Sequence, residues 1–257
     1  RGAPYAAGEG ATMKKAFSLW AAASCLAAVP AAASWLADVE AGAVFSGYND
    51  VRVPNEGGTE ISLSRDLETD PRFFYRFRIW YRAGDRHAVS LFAAPLRLDA
   101  SGTVGKAVVF DNVEFPADVP LAATYRFDSY RATYRYNLVR RERVTFGIGF
   151  TAKVRDAGIT LRGRDLKAET TNTGFVPLVN FGLRWRFGDA WAFLLDGDAL
   201  AASQGRAEDV FVGVDYRISK IVSLKAGYRM LEGGADVPQV YNFTMLHFLA
   251  LGPVFEF

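Results

Sequence analysis

Val144-Thr145-Phe146-Gly147-Ile148-Gly149-Phe150-Thr151-Ala152-Lys153-Val154-Arg155 alternates strictly between two kinds of side chain. One set is Val144, Phe146, Ile148, Phe150, Ala152 and Val154; the other is Thr145, Gly147, Gly149, Thr151, Lys153 and Arg155. A period of two belongs to a strand, whose successive side chains point to opposite faces; a helix gathers every third or fourth residue on one side. The stretch is also long enough to cross a bilayer, which takes about 9 to 11 residues of a tilted strand.

The same pattern recurs outward in both directions. Phe73, Tyr75, Phe77, Ile79 and Tyr81 alternate with Arg76, Arg78, Trp80 and Arg82, and Tyr130, Ala132, Tyr134, Tyr136 and Leu138 with Arg131, Thr133, Arg135 and Asn137. Phe175, Val179, Phe181, Leu183, Trp185 and Phe187 stand against Asn180, Gly182, Arg184 and Arg186. Two later segments, around Val210–Arg217 and Val222–Arg229, repeat it, with Asp209, Asp215, Arg217, Lys225 and Arg229 on the polar side. Segments 37–48, 87–98, 190–201 and 240–257 alternate less cleanly but are bounded by turn residues, which brings the expected count to about ten strands. Eight result if 190–201 and its neighbour are not strands.

Short turns fall at residues 83–86, 140–143, 188–189 and 219–220, and longer polar or Gly-rich connections are expected at 49–72, 99–120, 157–172, 202–206 and 232–239. Short connections on one side and long ones on the other suit an antiparallel up-and-down transmembrane β-barrel, and an even strand count puts both termini on the short-turn, periplasmic side. No stretch after the leader has 18 uninterrupted apolar residues, so helices do not make the crossing.

Composition narrows the class. With 30 Lys+Arg against 28 Asp+Glu there is no basic excess that calls for nucleic acid as a partner. Half the residues are hydrophobic while mean hydropathy is near zero, because apolar and charged residues are interspersed. From Met13 the chain reads Met-Lys-Lys, an apolar stretch from Ala16 to about Val29, and Pro30-Ala31-Ala32-Ala33-Ser34, the three regions of a secretory signal cleaved after Ala33. Residues 1–12 are read as an over-extended start, 13–33 as the signal peptide and 34–257 as a single barrel domain. The one cysteine, Cys25, falls inside the leader, so the mature chain is expected to hold neither a disulfide nor a thiol nucleophile.

Alternation by itself does not say which face points outward, since a soluble barrel buries its apolar face. The chain ends Gly252-Pro253-Val254-Phe255-Glu256-Phe257, an alternating strand closed by an aromatic residue. This resembles the C-terminal assembly signal of bacterial outer-membrane proteins, which implies the barrel-assembly machinery as a partner. Aromatic residues near the strand ends, Tyr81, Tyr136, Trp185, Phe187, Trp191 and Tyr228, suit the headgroup level of a bilayer. Residues 204–209 and 227–236 also resemble segments of small, uncharacterised Gram-negative outer-membrane β-barrel proteins. The resemblance implies location in the bacterial outer membrane, amid its lipid and lipopolysaccharide, and carries no site residues.

Chemistry-bearing residues are few. His87 begins a strand with Ser90 three residues on, which places the two on opposite faces and leaves no Ser–His pair. His247 falls in register with the outward set Phe243, Met245, Leu249 and Leu251, and a bulge near Gly252-Pro253 is the alternative that would turn it inward. Lipid A deacylases carry a serine two residues after their histidine; here that position is Leu249. Asp196 and Asp198 share one face about 7 Å apart. A ten-stranded barrel with paired acids resembles the omptin proteases, which also need an Asp–His pair, and no Asp-x-His occurs. The plainer reading is that these two acids neutralise Arg184 and Arg186 on the neighbouring strand. No zinc-ligand spacing, calcium loop or phosphate-binding loop is present, and no cofactor is expected.

The resulting expectation is an outer-membrane barrel of structural, narrow-pore or ligand-display type. Its net basic lumen is lined by Arg76, Arg78, Arg131, Arg135, Lys153, Arg184, Arg186, Asp196, Asp198, Asp215, Arg217 and Arg229. The alternative is a lipid-modifying enzyme, a lipid A or phospholipid hydrolase, working through His247 or through Asp196 and Asp198.

Overall fold

The computed structural model describes residues 33–203 and 205–257. The over-extended start and the leader lie outside the described residues, except for Ala33, which opens the first strand. Ten strands close into one antiparallel barrel. They are β1 (Ala33–Arg52), β2 (Arg72–Ala83), β3 (His87–Ala94 continued by Arg97–Thr103), β4 (Pro120–Arg140), β5 (Val144–Gly163), β6 (Leu166–Arg186), β7 (Trp191–Ala202), β8 (Gly205–Arg217), β9 (Val222–Val237) and β10 (Val240–Glu256). Each pairs with its sequence neighbour, and β10 closes the ring on β1 from Leu36↔Glu256 to Arg52↔Tyr241. In the part nearer the termini closure leaves no free sheet edge, the condition for strands to cross lipid. Trp35 and Phe257 exchange both backbone hydrogen bonds, at 3.0 and 2.9 Å, and lock the two chain ends together.

Three of the connections expected to be loops are strand instead. Residues 157–172 form the upper parts of β5 and β6, paired to the two-residue turn after Gly163, and 232–239 is the top of the β9–β10 hairpin. Residues 202–206 are likewise mostly the ends of β7 and β8. The reason is a change of polarity at constant phase. On β5 the outward set runs Phe146, Ile148, Phe150, Ala152, Val154 and then Asp156, Thr160 and Arg162. The inward set runs Thr151, Lys153, Arg155 and then Ala157, Ile159 and Leu161. β4 does the same: Tyr134 and Tyr130 face out, followed by Asp128 and Arg126, while Thr133 and Arg131 face in, followed by Tyr125, Ala123 and Leu121.

The barrel is therefore two storeys built on one continuous ladder. In the storey near the termini, apolar side chains face out and charges face in. The aromatic pairs Trp35–Tyr81, Trp191–Tyr216 and Trp185–Phe187 ring its base, with centroids 4.9, 4.7 and 6.0 Å apart. Tyr130, Val154 and Phe175, paired across β4, β5 and β6, mark its upper limit. Between Val144 and Val154 the outward face of β5 is apolar over 11 residues, the length that spans a bilayer.

In the far storey the barrel becomes an ordinary water-soluble one. Its outer face is a collar of ion pairs, Arg126 with Asp156, Arg97 with Asp128 and Arg72 with Asp99. Its inside is an apolar core of strand residues, among them Val44, Leu98, Leu121, Ile159, Leu161 and Leu246, filled from above by two loops. Residues 53–71 contribute Val53, Ile61, Leu63 and Leu67, and 104–119 contribute Val108, Phe110 and Phe115, most of them fully buried. The second loop folds as a small hairpin, Val108–Phe110 with Val113–Phe115, turned at Asp111-Asn112 in the left-handed conformation that a tight two-residue turn requires. Thr59 N donates to the Val109 carbonyl at 2.8 Å and Asp111 N to that of Val53 at 2.8 Å, so the loops cap the far end as one unit.

Ile148→Arg, facing lipid, is expected to destabilise the barrel by about 2–4 kcal/mol, whereas Thr160→Arg, on the same face of the same strand but in the collar, is expected to fall within about 0.5 kcal/mol of the parent. Urea unfolding in lipid vesicles, followed by tryptophan fluorescence, compares them; equal costs would contradict the two-storey assignment.

Candidate functional site

The terminal storey holds one extended web of charge. Asp209 on β8 is its hub, accepting from Arg76 of β2 at 3.0 Å, Arg131 of β4 at 2.5 Å and Arg229 of β9 at 2.6 Å. From Arg229 the web passes to Glu40 at 2.6 Å, from Glu40 to Lys225 at 3.0 Å, and from Lys225 to Asp38 at 2.7 Å. In the other direction Arg131 donates to Asp198 at 2.7 Å. Asp198 also accepts from Thr151 at 2.6 Å and Asn180 at 2.8 Å. Asn180 accepts from Arg135 at 2.7 Å, and Arg135 and Arg78 share Asp196 at 2.5 and 2.8 Å. Arg76, Arg78, Arg131, Asp198, Asp209 and Arg229 are all buried.

These contacts correct one expectation. Asp196 and Asp198 do not meet Arg184 and Arg186; their arginine partners come from β2 and β4, across the lumen. In the ladder Asp196 lies opposite Gly182, and Arg184 and Arg186 stand opposite Leu194 and Ala192. Gly182 matters because it has no side chain: a Cβ there would lie 2.2 Å from Arg135 Nη1. Arg135 can thus pass from β4 over β5 and β6 to reach β7. Arg184 turns to Asp215 at 2.6 Å, and Ser223 donates to the same carboxylate at 2.6 Å. Arg186 and Arg217 stay at the terminal rim, where they donate to the carbonyls of Glu142 and Asp189.

Aromatic rings are interleaved with the cations of this web. Arg76 lies 4.5 Å from the Phe248 ring, Arg78 and Arg131 each 4.7 Å from Phe92, and Lys225 4.9 Å from Phe211. Cations held against ring faces in this way keep part of the stabilisation lost with water. Lys153 is buried with its ammonium 4.9 Å from the Phe127 ring and, among the described residues, has no carboxylate partner. A cavity with room for about one water, ≈ 10 Å³, lies between Arg76, Arg131, Phe127 and Leu96.

The histidines lie on the outer surface. His87 Nδ1 is 2.8 Å from the Tyr134 hydroxyl, and Ser90 is buried on the opposite face. His247 Nδ1 is 2.6 Å from the Tyr228 hydroxyl. Among the described residues neither histidine bonds a carboxylate or a serine. No group of His, Cys, Asp and Glu suited to a metal ion occurs among them either. Asp38 is the member of the web that the sequence reading does not include. The spacing of Asp38 and Glu40, two apart on one face of β1, was the available signal.

An apolar outer belt, a closed antiparallel ring and an inward charge web define the fold of an outer-membrane β-barrel. Among solved structures, the outer-membrane protease OmpT of Escherichia coli matches over 87% of this chain and 97% of its own, with a TM-score of 0.57 and 9% identity. Ail, the attachment invasion locus protein of Yersinia pestis, matches over 86% and 98% with a TM-score of 0.37 and 8% identity. OprG from Pseudomonas aeruginosa matches over 87% and 95% with a TM-score of 0.38 and 9% identity. At such identity the likeness to OmpT is one of fold. No protein-family model and no curated protein matches the chain.

Asp209→Asn leaves three buried arginines short of their shared carboxylate and is expected to cost about 3–5 kcal/mol. Arg72→Gln, at a collar pair whose arginine and aspartate side chains are 48% and 42% exposed, is expected to cost at most about 1 kcal/mol. Chemical denaturation of the two variants side by side checks the ranking, and a cheaper Asp209 change would remove the hub.

Proposed function

We propose that this chain serves as a closed barrel of the bacterial outer membrane, carrying its capped storey as a rigid platform outside the bilayer for ligand display and envelope support. In this reading the leader over 13–33 exports it and the C-terminal strand engages the assembly machinery. Both termini are periplasmic, the belt contacts lipid, and the arginine-bearing collar meets lipopolysaccharide headgroups. One observation carries the proposal: the charge web runs unbroken from Asp38 to Arg78, and an apolar core packed by two loops lies directly above it. An ion would have to cross both, and the second is apolar.

A lipid-modifying enzyme is the competing reading. It is disfavoured because Asp196 and Asp198 are each engaged by arginine and, among the described residues, the hydrogen-bond partner of the His247 side chain is a tyrosine hydroxyl. The surplus of cations over carboxylates in the web, with Lys153 unpaired, makes any residual leak anionic.

Purified protein in planar bilayers is expected to pass no stable current. Asp209→Asn, by loosening the web and adding to its positive excess, is expected to give at most small, anion-preferring events. A large, steady, cation-selective conductance from the parent protein would refute the closed, basic lumen.

A further inference from the structure

Closure of the ring is complete in the terminal storey and incomplete above it. β6 pairs with β7 only from Val179↔Ala199 to Arg186↔Ala192, although β6 begins at Leu166. Above Val179, β6 is paired on its β5 side alone, from Gly163↔Leu166 downward. Pro177 lies where the pairing stops, and it has no N–H to give to a ladder. The strand above it, Thr170-Thr171-Asn172-Thr173-Gly174-Phe175-Val176, is uncharged and rich in β-branched residues. Natural sheet edges are normally blunted by charge or proline against pairing. Here Lys167 and Glu169 guard only the top of the strand and Pro177 only the foot.

This edge stands in water. Thr173 is paired with Asp156 of the collar, and Thr171, Asn172 and Thr173 are exposed, with Phe175 65% exposed just below. On the inner side of the same strand Arg155 leans from β5 across Gly174, where a Cβ would lie 3.2 Å from its Nη2. The guanidinium ends at Asn172 Oδ1, its Nε is buried without a partner, and among the described residues it forms no ion pair. Lys153, two residues away on the same face, also lacks a carboxylate. Every carboxylate of the web below is already shared out, so Arg155 is a cation left over beside a free ladder.

We propose that the open edge of β6 between Thr170 and Gly174 is a docking site for an extended peptide strand carrying a carboxylate, which Arg155 binds. Strand addition supplies main-chain hydrogen bonds to any extended segment, and the cation selects an acidic one. A second copy of this chain fits poorly. Two barrels in one membrane are related by an axis along the membrane normal, which brings their edges together running the same way. A self-complementary two-fold β contact needs antiparallel strands. The proposal deepens the display reading by naming what is displayed to; conductance tests that reading and peptide binding tests this one.

The test uses the full barrel in lipid nanodiscs and a dye-labelled peptide of seven residues, alternating threonine and valine around one central glutamate, acetylated and amidated so that glutamate is its sole carboxylate. Fluorescence anisotropy is expected to show saturable binding, about tenfold weaker when glutamine replaces the glutamate. Arg155→Gln should abolish that difference. Successive residues turn their N–H groups to opposite edges, so of Thr171→Pro and Asn172→Pro one should block binding with the β5–β6 hairpin intact, while the other disturbs the hairpin. No binding by either peptide, binding indifferent to Arg155 and to both prolines, or edge-to-edge dimers of the barrel in place of peptide binding would each overturn the proposal.

Discussion

A barrel that stands partly in lipid and partly in water meets two solvents along every strand, yet its side chains keep one phase as long as the ladder is unbroken. Each strand must therefore exchange the chemistry of its two faces at the water boundary. In β5 the exchange falls between Val154 and Asp156 on the outer face and between Arg155 and Ala157 on the inner. Because neighbouring strands are in register there, Tyr130 and Phe175 end the belt at the same level, and Asp128 and Thr173 begin the collar. The rest of the architecture follows from that line. Charges are confined below it on the inside, and the apolar core is confined above it.

The two interiors depend on each other. A guanidinium walled off from water is tolerable only when carboxylates and hydrogen bonds replace its hydration, which accounts for Asp209 serving three arginines and for Arg135 crossing two strands to reach Asp196. Phe248 and Phe211 belong to the apolar core and also lie against cations of the web, and Phe92 lies against Arg78 and Arg131, so the charged interior shares its rings with the apolar one. Capping by residues 53–71 and 104–119 then completes a core that ten strands could not fill alone, since Phe110 and Phe115 are fully buried between them.

Much of this was legible in the residues. The period of two in 144–155, the arginines opposed to aromatics in 73–82 and 130–138, and the final Phe255-Glu256-Phe257 are enough for an antiparallel barrel of about ten strands. Residues 157–172 read as a loop when an apolar-out pattern is followed, because after Arg155 that pattern reverses while the period continues. The period itself is visible in the residues: Ala157, Ile159 and Leu161 keep the phase of Lys153 and Arg155. Lumen partners were less accessible. Strand adjacency predicts Asp196 beside Arg184, but a guanidinium reaches across a lumen if glycines such as Gly147 and Gly182 clear its path, and sequence order does not say which strands face one another. Burial of Ile61, Leu63, Leu67 and Val108 had no periodicity to announce it.

The central claim is that the outer face of the barrel passes from lipid to water at one line while the ladder continues. Spin labels placed singly at Phe146, Ile148, Phe150, Val154, Asp156, Thr160 and Arg162 in lipid vesicles measure it directly, through relaxation by oxygen, which concentrates in lipid, and by a water-soluble nickel complex. The account predicts oxygen-dominated relaxation from 146 to 154 and nickel-dominated relaxation from 156 onward, with immobilised, strand-like spectra throughout. Oxygen access continuing through 162, or mobile loop-like spectra beyond 156, would contradict it.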